Sequence, residues 1–518
     1  MKFTLSITVV VASLAFAPTA VAARHGSRPA APSARHASRP AAPPARRVPR
    51  TAAPAGHRSR RRVPTHRVAG PEASVTLTTP DLRRALSPMP AIAFGRIDPH
   101  TPTIDVSTAT RYQTVTGFGA AMTDTSAWLL YDELPADARN LVMASLFDGI
   151  DLDYIRVPMG ASDFSAGGVP YSYDDMPAGE ADPTLAHFSI AHDEPYIIPA
   201  LRQALDLNPG IQFLAEPWSL PAWMKANDAL DNNDYAGDLL TADYQAGADY
   251  FVRFIQAYGA AGIPITAITP MNEAHTPSLY PGMNLDEDGF VTRNLVPALR
   301  AAGLGTQVYG LDGSGLPYGE GMLEDPAVRS AIAGIAWHCY TGLDQMTTLH
   351  DLDPTAGLIM SECSPGIVDY TPAETVIASM RNYASAVDLW NLALDPSGGP
   401  KQPVPGCPDC GGLVTVDENT HRATLTQSFY EVGQLSKFVQ RGAVRIASDR
   451  WVADYSNPDG SYGVTSGLDN VAFEYPDGSK VLVATNNSDS PIHFQVQWGD
   501  RAFEYALGAG ATVTFVWR

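Results

Sequence analysis

From about residue 112 the chain alternates short apolar runs with longer stretches of helical character. The runs are TVTGFG (114–119), DYIRVPMG (153–160), IQFLAEPWS (211–219) and ITAITPMNE (265–273), followed by TQVYGLDGS (306–314), GIAWHCY (334–340), GLIMSEC (357–363) and AVDLWNLAL (386–394). Between them lie segments such as SAWLLYDELPADARNLVMASLF and YQAGADYFVRFIQAYGAAG. Strands alternating with helical patterns predict parallel βαβ units. Eight of them predict an α/β fold, a closed (β/α)8 TIM barrel over 111–425, with its working residues at the C-terminal strand ends. After residue 425 the texture changes. VRIASDRWV, VAFEYP, KVLVATNN, HFQVQW and TVTFVW alternate in steps of two and are separated by NPDG, YPDG and NNSDS turns, predicting an all-β sandwich over 426–518. Strands within 73–110 precede the barrel and are expected to join the β domain.

The N-terminus is different material. Residues 1–22 carry one Lys, an apolar stretch and Ala20-Val21-Ala22, the form of a secretory signal peptide cleaved after Ala22. The expectation is therefore an exported protein that does not span a membrane. Residues 23–72 read as a disordered Ala/Pro/Arg-rich linker, with twelve Arg between 24 and 70 and no acid before Glu72. Such a segment suits contact with an anionic cell envelope. No aromatic residue interleaves with its arginines, which disfavours nucleic acid.

Setting that tail aside sharpens the charge. All 55 acids lie beyond residue 70 against 22 of the 35 Lys and Arg, so the folded part stands at about −33. A neutral substrate fits such a body better than an anionic polymer. Of the four cysteines, Cys407 and Cys410 form CPDC in a Gly/Pro-rich loop, where export favours a local disulfide. Cys339 and Cys363 read as small buried fillers.

Polar residues at the predicted strand ends carry the chemistry: Asp124, Arg156, Trp218, Asn272, Glu273, His338, Tyr340, Glu362 and Trp390. Glu273 ends the fourth run and Glu362 the seventh. The alternatives are structural, since Asn272-Glu273 can open a helix and Glu362 can sit in a buried ion pair. Two carboxylates across a barrel mouth are the equipment of a glycosidase, one giving a proton and the other attacking the anomeric carbon. Arg156 is a partner that keeps one of them charged. Trp218, Trp223 and Trp390 offer flat faces to a sugar ring, and Asp124 and Asn272 can take its hydroxyls.

The runs TGFGAAMTDTSAW, YIRVPMGASDFS, YSYDD, EPWSLPAWMK, MNEAH, SECSPG and WNLALDPSGGP, with SFYEVGQLSKFV (428–439), resemble glycoside hydrolase family 30, the glucosylceramidase and β-1,6-glucanase family. The likeness covers about 73–518. It implies a retaining mechanism with Glu273 as acid/base and Glu362 as nucleophile, their carboxyls ~5–5.5 Å apart. It implies further that Asn272 contacts the 2-hydroxyl, that Asp124, Trp218 and Trp390 bind the glycone, and that Arg156 and Tyr340 orient Glu362 beside His338. The substrate expected is a β-glucoside, glycolipid or glucan, with no metal and no cofactor. Xylan hydrolysis within the family and a non-catalytic carbohydrate-binding barrel are the alternatives. Two positions depart from the family pattern. Ala274 follows Glu273 where Pro is common, and Cys339 stands where relatives acting on glucosylceramide often place an aromatic, which counts against a ceramide leaving group.

Overall fold

Each of the eight apolar runs contains one strand of a closed parallel barrel in the computed structural model, which describes residues 72–368, 370–449 and 467–518. The strands are β1 (Gly117–Ala120), β2 (Tyr154–Pro158), β3 (Gln212–Glu216), β4 (Ile265–Ile268), β5 (Gln307–Gly313), β6 (Gly334–His338), β7 (Gly357–Glu362) and β8 (Ala386–Leu389). They pair in chain order, and β8 closes on β1 through Ala386↔Gly117 to Leu389↔Ala120. The signal peptide and the basic linker expected from the sequence lie outside the described residues. No described helix is long and apolar enough to cross a membrane.

Period-two alternation builds the barrel interior in layers. The lower layer is apolar: Tyr154, Leu214, Ala267, Ala336, Ile359 and Ala386 form one cluster, with Tyr309 packed against it. Two residues further along each strand the interior turns polar, with Arg156, Glu216, Thr269, His338, Ser361 and Asp388 all essentially without solvent contact. Strand β5 reaches the same height through a register shift between Leu311 and Gly313, which brings in the buried Asp312. A second shift, between Met360 and Glu362 of β7, lets neighbours Ser361 and Glu362 both serve the interior. At this height β1 contributes Gly119. A Cβ there would lie 1.4 Å from the Tyr154 carbonyl oxygen and 3.0 Å from Asp388 Oδ2, so the approach of β1 to β2 excludes any side chain.

Nine further strands form one sheet in the order 501–507, 492–498, 103–114, 444–448, 468–474, 480–486, 512–517, 72–78 and 87–93. An antiparallel bridge from Gly95 to Ala502 brings the two ends of this sheet together around a core that includes Phe494, Phe503, Phe515 and Trp517. This is the β-sandwich domain. The strand Arg501–Leu507, absent from the runs read in the sequence, supplies one edge. The chain before the barrel contributes Glu72–Thr78, paired with Thr512–Trp517, and Thr103–Thr114, which lies parallel to Ile492–Trp498.

The helix Gln427–Ser436 ties the two domains. Thr514 Oγ1 donates to the Gln434 carbonyl at 2.6 Å, and Ser436 Oγ donates to that of Ile150 at 2.6 Å. The last predicted run is broken. Strand β8 stops at Leu389, and Ala393–Leu394 joins a separate three-stranded sheet with Val414–Asp417 and Arg422–Leu425.

The close approach of β1 to β2 makes Gly119 a test of barrel closure. Gly119→Ala is expected to cost about 3 kcal/mol, because neither the facing backbone nor the charged layer can move aside cheaply. The urea midpoint at unchanged m-value reads this directly. An unshifted midpoint would mean that β1 is not held where it is described.

Candidate active site

Arg156 of β2 stands at the centre of the polar layer with no solvent exposure. Its Nη2 donates to Asn272 Oδ1 at 2.7 Å and to Asp312 Oδ2 at 3.0 Å, and its Nη1 donates to Glu362 Oε2. Glu216 lies 3.1 Å from Nε as an ion pair but out of line for a hydrogen bond. The Arg156 backbone N–H donates to Asp388 Oδ2 at 3.2 Å.

Burial pushes the Glu216 and Asp388 carboxyls far above the usual range, although the guanidinium pulls the other way. Asp312 goes the opposite way. Burial opposes its charge, but Arg156, His338 and the hydroxyl of Ser361 at 2.6 Å outweigh it and hold the carboxyl well below its ordinary value. Thr269 Oγ1 donates to the same carboxylate at 2.7 Å.

His338, at the end of β6, bridges the layers. Its Nε2 lies 3.2 Å from Asp312 Oδ1 and its Nδ1 lies 3.0 Å from Glu273 Oε1, with Glu362 Oε1 at 3.7 Å. Burial would lower its pKa. The Glu362 charge and the hydrogen bonds to Asp312 and Glu273 win, and the imidazole is pushed up to about 10. It is a cation at neutral pH, donating from both nitrogens.

Glu362 is the last residue of β7 and is held at both oxygens, Oε2 by Arg156 and Oε1 by the Tyr340 hydroxyl at 3.0 Å. Tyr340 also lies 3.0 Å from Ser364 Oγ.

Glu273 is placed differently from the sequence reading. Strand β4 ends at Ile268, and Glu273 sits in the following loop at φ +47°. Its N–H donates to the Asp312 carbonyl and that of Asn272 to the Pro217 carbonyl, each at 2.9 Å. Bonds to both neighbouring strand ends thus hold a left-handed non-glycine backbone. One oxygen of Glu273, one of Glu362 and a ring nitrogen of His338 lie within 4.8 Å of one another.

The two carboxylates open into a cavity of about 250 Å³ lined also by Trp218, Trp390, Asn272, Tyr340 and Asp163. Trp218 and Trp390 stack at 4.9 Å, and both face the Arg156 guanidinium, at 4.9 and 5.4 Å. Asp163 is buried and its carboxyl is pushed up to about 8, by desolvation first and by the Glu362 and Glu273 charges after it. At neutral pH it is a hydrogen-bond donor.

Two aspects of the sequence reading are not matched by the placement of the side chains. Asp124 does not line this cavity. Its carboxylate is taken up by the Ala166 N–H at 2.8 Å, the hydroxyls of Tyr171 and Tyr196 at 3.2 and 3.0 Å, and His192 Nε2 at 2.7 Å. Asp163, in the quoted run YIRVPMGASDFS, stands where a glycone carboxyl was expected. Trp223 is also away from the cavity, buried with its Nε1–H on Asp174.

The cysteine reading needs correction too. Cys339 and Cys363 are not separate fillers but a disulfide with Cα atoms 5.3 Å apart. Strands β6 and β7 pair in register with His338 opposite Glu362, so the residues that follow them meet. Cys407 and Cys410 are also bonded to each other.

Sequence reasoning missed Glu216, Asp312 and Asp388, each an acid inside an apolar run. The signal that singled out Glu362 was present in FLAEPW, VYGLDG and AVDLW.

Comparison with known proteins follows the same lines. Residues 115–439 match the family model for the glycosyl hydrolase family 30 TIM-barrel domain, and residues 442–515 match that for the family's beta sandwich domain. The chain is 34% identical over 421 residues to an endo-1,6-beta-D-glucanase of Neurospora crassa, covering 76% of this chain and 83% of the relative. It is 30% identical over 446 residues to the lysosomal acid glucosylceramidase of Mus musculus, covering 79% and 82%. Among solved structures, the endo-beta1,6-glucanase BT3312 aligns with a TM-score of 0.74 at 29% identity, over 86% of this chain and 99% of that one.

The charge layer predicts a pH dependence. A folded-state pKa of about 10 for His338, above the ordinary 6.5, means its contribution to stability is complete below about pH 6.5 and is lost as pH rises toward 10. Thermal melts between pH 6 and 10 should fall in this sense. His338→Asn should flatten the slope, and an identical slope in that variant would refute the assignment.

Proposed function

The chain belongs to glycosyl hydrolase family 30 and is an O-glycosyl hydrolase, and on that premise we propose that it cleaves β-glucosidic bonds with retention, using Glu362 as nucleophile and Glu273 as acid/base. The observation that carries the reading is the short separation of the two carboxylates, with facing oxygens within 4.8 Å. An inverting enzyme needs room for a water between them, and this spacing is closer to the retaining geometry.

In the first step the Glu362 carboxylate attacks the anomeric carbon while Glu273 gives its proton to the departing glycosidic oxygen. In the second, Glu273 takes a proton from water, the water oxygen displaces Glu362 from that carbon, and the starting configuration returns. Tyr340 and Arg156 leave Glu362 little freedom to turn, which is the positioning such a displacement requires. Trp218 and Trp390 form the apolar wall of the glycone site. Asn272, whose Oδ1 is taken by Arg156, offers its amide N–H groups to ring hydroxyls, as Asp163 offers its O–H.

For the substrate we favour a β-1,6-linked glucan, because endo-1,6-glucanases stand among the relatives above 30% identity. The mouse glucosylceramidase supports glucosylceramide as a second reading. Cys339, tied to Cys363, provides no aromatic surface for a lipid at that position. The N-terminal 22 residues support export. Product profiles on β-1,6-glucan, glucosylceramide and xylan, run side by side, choose among the substrates.

The two roles are separable by azide. Glu362→Gly should lose hydrolysis and be rescued to an α-glucosyl azide. Glu273→Ala should fall about 10²–10⁴-fold on poor leaving groups and be rescued to the β-glucosyl azide. Reversed anomers would exchange the roles, and near-normal turnover by Glu362→Gln would sink the mechanism.

A further inference from the structure

The CPDC motif plays no part in the glycosidase chemistry, yet it stands on the wall of the catalytic cavity. Cys407 and Pro408 line that cavity together with Trp390 and Glu362. Cys410 is buried in the cluster that contains Trp218 and Trp390, and Cys407 packs against the cluster half-buried.

The segment that carries the motif, residues 400–411, is tied to both sides of the cavity. Toward Asp163, the Gln402 N–H donates to the Asp163 carbonyl at 2.9 Å and Gln402 Nε2 donates to the Ser162 carbonyl at 2.7 Å. Toward Glu362, the Gly411 N–H donates to the Pro365 carbonyl at 2.9 Å, and Cys410 Sγ lies 3.1 Å from Ser364 Oγ. Ser364 Oγ is 3.0 Å from the Tyr340 hydroxyl, which gives its own proton to Glu362. A bridged sulfur carries no proton, so Cys410 can only accept from Ser364. At the other end of the bridge, Lys401 Nζ donates to the Cys407 carbonyl at 2.7 Å.

The two disulfides differ in what opening them does. Cys339 and Cys363 are almost without solvent contact, are 24 positions apart and join the ends of β6 and β7. Cys407 and Cys410 are three positions apart, so their bond constrains the unfolded chain less, and Cys407 is open to the cavity. Thiol–disulfide exchange follows access to the attacked sulfur.

We propose that Cys407–Cys410 is a thiol-exchange site whose closed form holds the wall of the catalytic cavity, and that a small dithiol opens it. The effect on turnover rests on the reading of that cavity as the glycone site. One thiolate of the dithiol attacks Cys407 Sγ, the sulfur–sulfur bond breaks, and Cys410 leaves as a thiolate that takes up a proton. The second thiolate attacks the dithiol's own bridged sulfur, and Cys407 leaves and is protonated in turn. The dithiol departs as a cyclic disulfide, and the protein has gained two electrons and two protons. Cys410 then has a proton of its own to offer Ser364, and the wall at Cys407 and Pro408 has to be ordered by the sugar instead of by a covalent bond. Glu362 keeps its bonds from Arg156 and Tyr340, so the loss falls on KM more than on kcat.

The test treats the native enzyme with dithiothreitol, alkylates it and maps the label by mass spectrometry, while hydrolysis of an aryl β-glucoside is followed in parallel. Cys407 and Cys410 should be labelled before Cys339 and Cys363. KM should rise roughly fivefold, the size of one ordering cost, with kcat changed by less than about twofold. The melting temperature should stay where it is, and oxidised glutathione should restore KM. The double variant Cys407→Ser, Cys410→Ser should show the raised KM without reductant and no response to it.

An unchanged KM in enzyme labelled at Cys407 and Cys410 would overturn the proposal. So would labelling that begins at Cys339 and Cys363, or a folded double variant with normal KM. If the double variant does not fold, the reversible change in the native enzyme decides. An enzyme that hydrolyses no aryl β-glucoside before reduction would bring down the functional reading and the effect on KM, while the order of labelling still upholds or refutes the exchange site by itself.

Discussion

A guanidinium without solvent in the middle of a parallel barrel is the constraint from which the rest of this site follows. Arg156 cannot be lost from its place without leaving acids buried and unpaired, and it cannot stay there without them. The strands answer with an alternation that puts apolar residues in one layer and polar ones in the next. Around Arg156 the acids are not equivalent. Asp312, held by Arg156, His338 and two hydroxyls, is drawn well below its ordinary value, while burial pushes Glu216 and Asp388 the other way. The planar fork of arginine reaches Glu362, Asn272 and Asp312 at once, a task that the point charge of lysine cannot do.

The two carboxylates receive different mechanical support, and the difference matches the roles proposed for them. Glu362 ends a barrel strand, its side chain 9% exposed, with a separate donor on each oxygen. Glu273 sits on a loop, is 25% exposed, and has His338 as its partner at one oxygen. A nucleophile gains from being fixed along one line of approach. An acid/base must exchange protons with water between half-reactions and gains from access. The left-handed backbone at Glu273 is what aims a loop carboxylate back across the barrel, and hydrogen bonds from neighbouring strand ends hold it there.

Much of this was legible in the sequence because strand period and buried polarity are local properties. A polar residue inside an apolar run can be seen without knowing its neighbours, and Arg156, Asn272, His338 and Glu362 were found that way. What could not be read was pairing across the barrel. Asp124 and Asp163 both follow short apolar runs, and only the path of the loop through residues 161–196 shows that His192, Tyr171 and Tyr196 occupy the first while the second faces the cavity. Cys339 and Cys363 are 24 positions apart, and nothing short of the β6–β7 register puts them side by side. Glu216, Asp312 and Asp388 gave the same signal as Glu362 but lacked a visible purpose until Arg156 was seen at their centre.

That distribution separates what the barrel decides from what its loops decide. The charge layer, the two tryptophans two positions beyond Glu216 and Asp388, and Glu362 all follow from the strands and their immediate ends. They hold Glu362 and the tryptophan wall of the cavity in place. A second cavity beside Glu273 is built from the segments after β4 and β5, which bear none of the buried charge that anchors Arg156 apart from Asp312. Those segments can change without disturbing the layer beneath them. The acid at the edge of that cavity is the same Glu273 that the buried layer, through His338 and the Asp312 carbonyl, holds in line with Glu362.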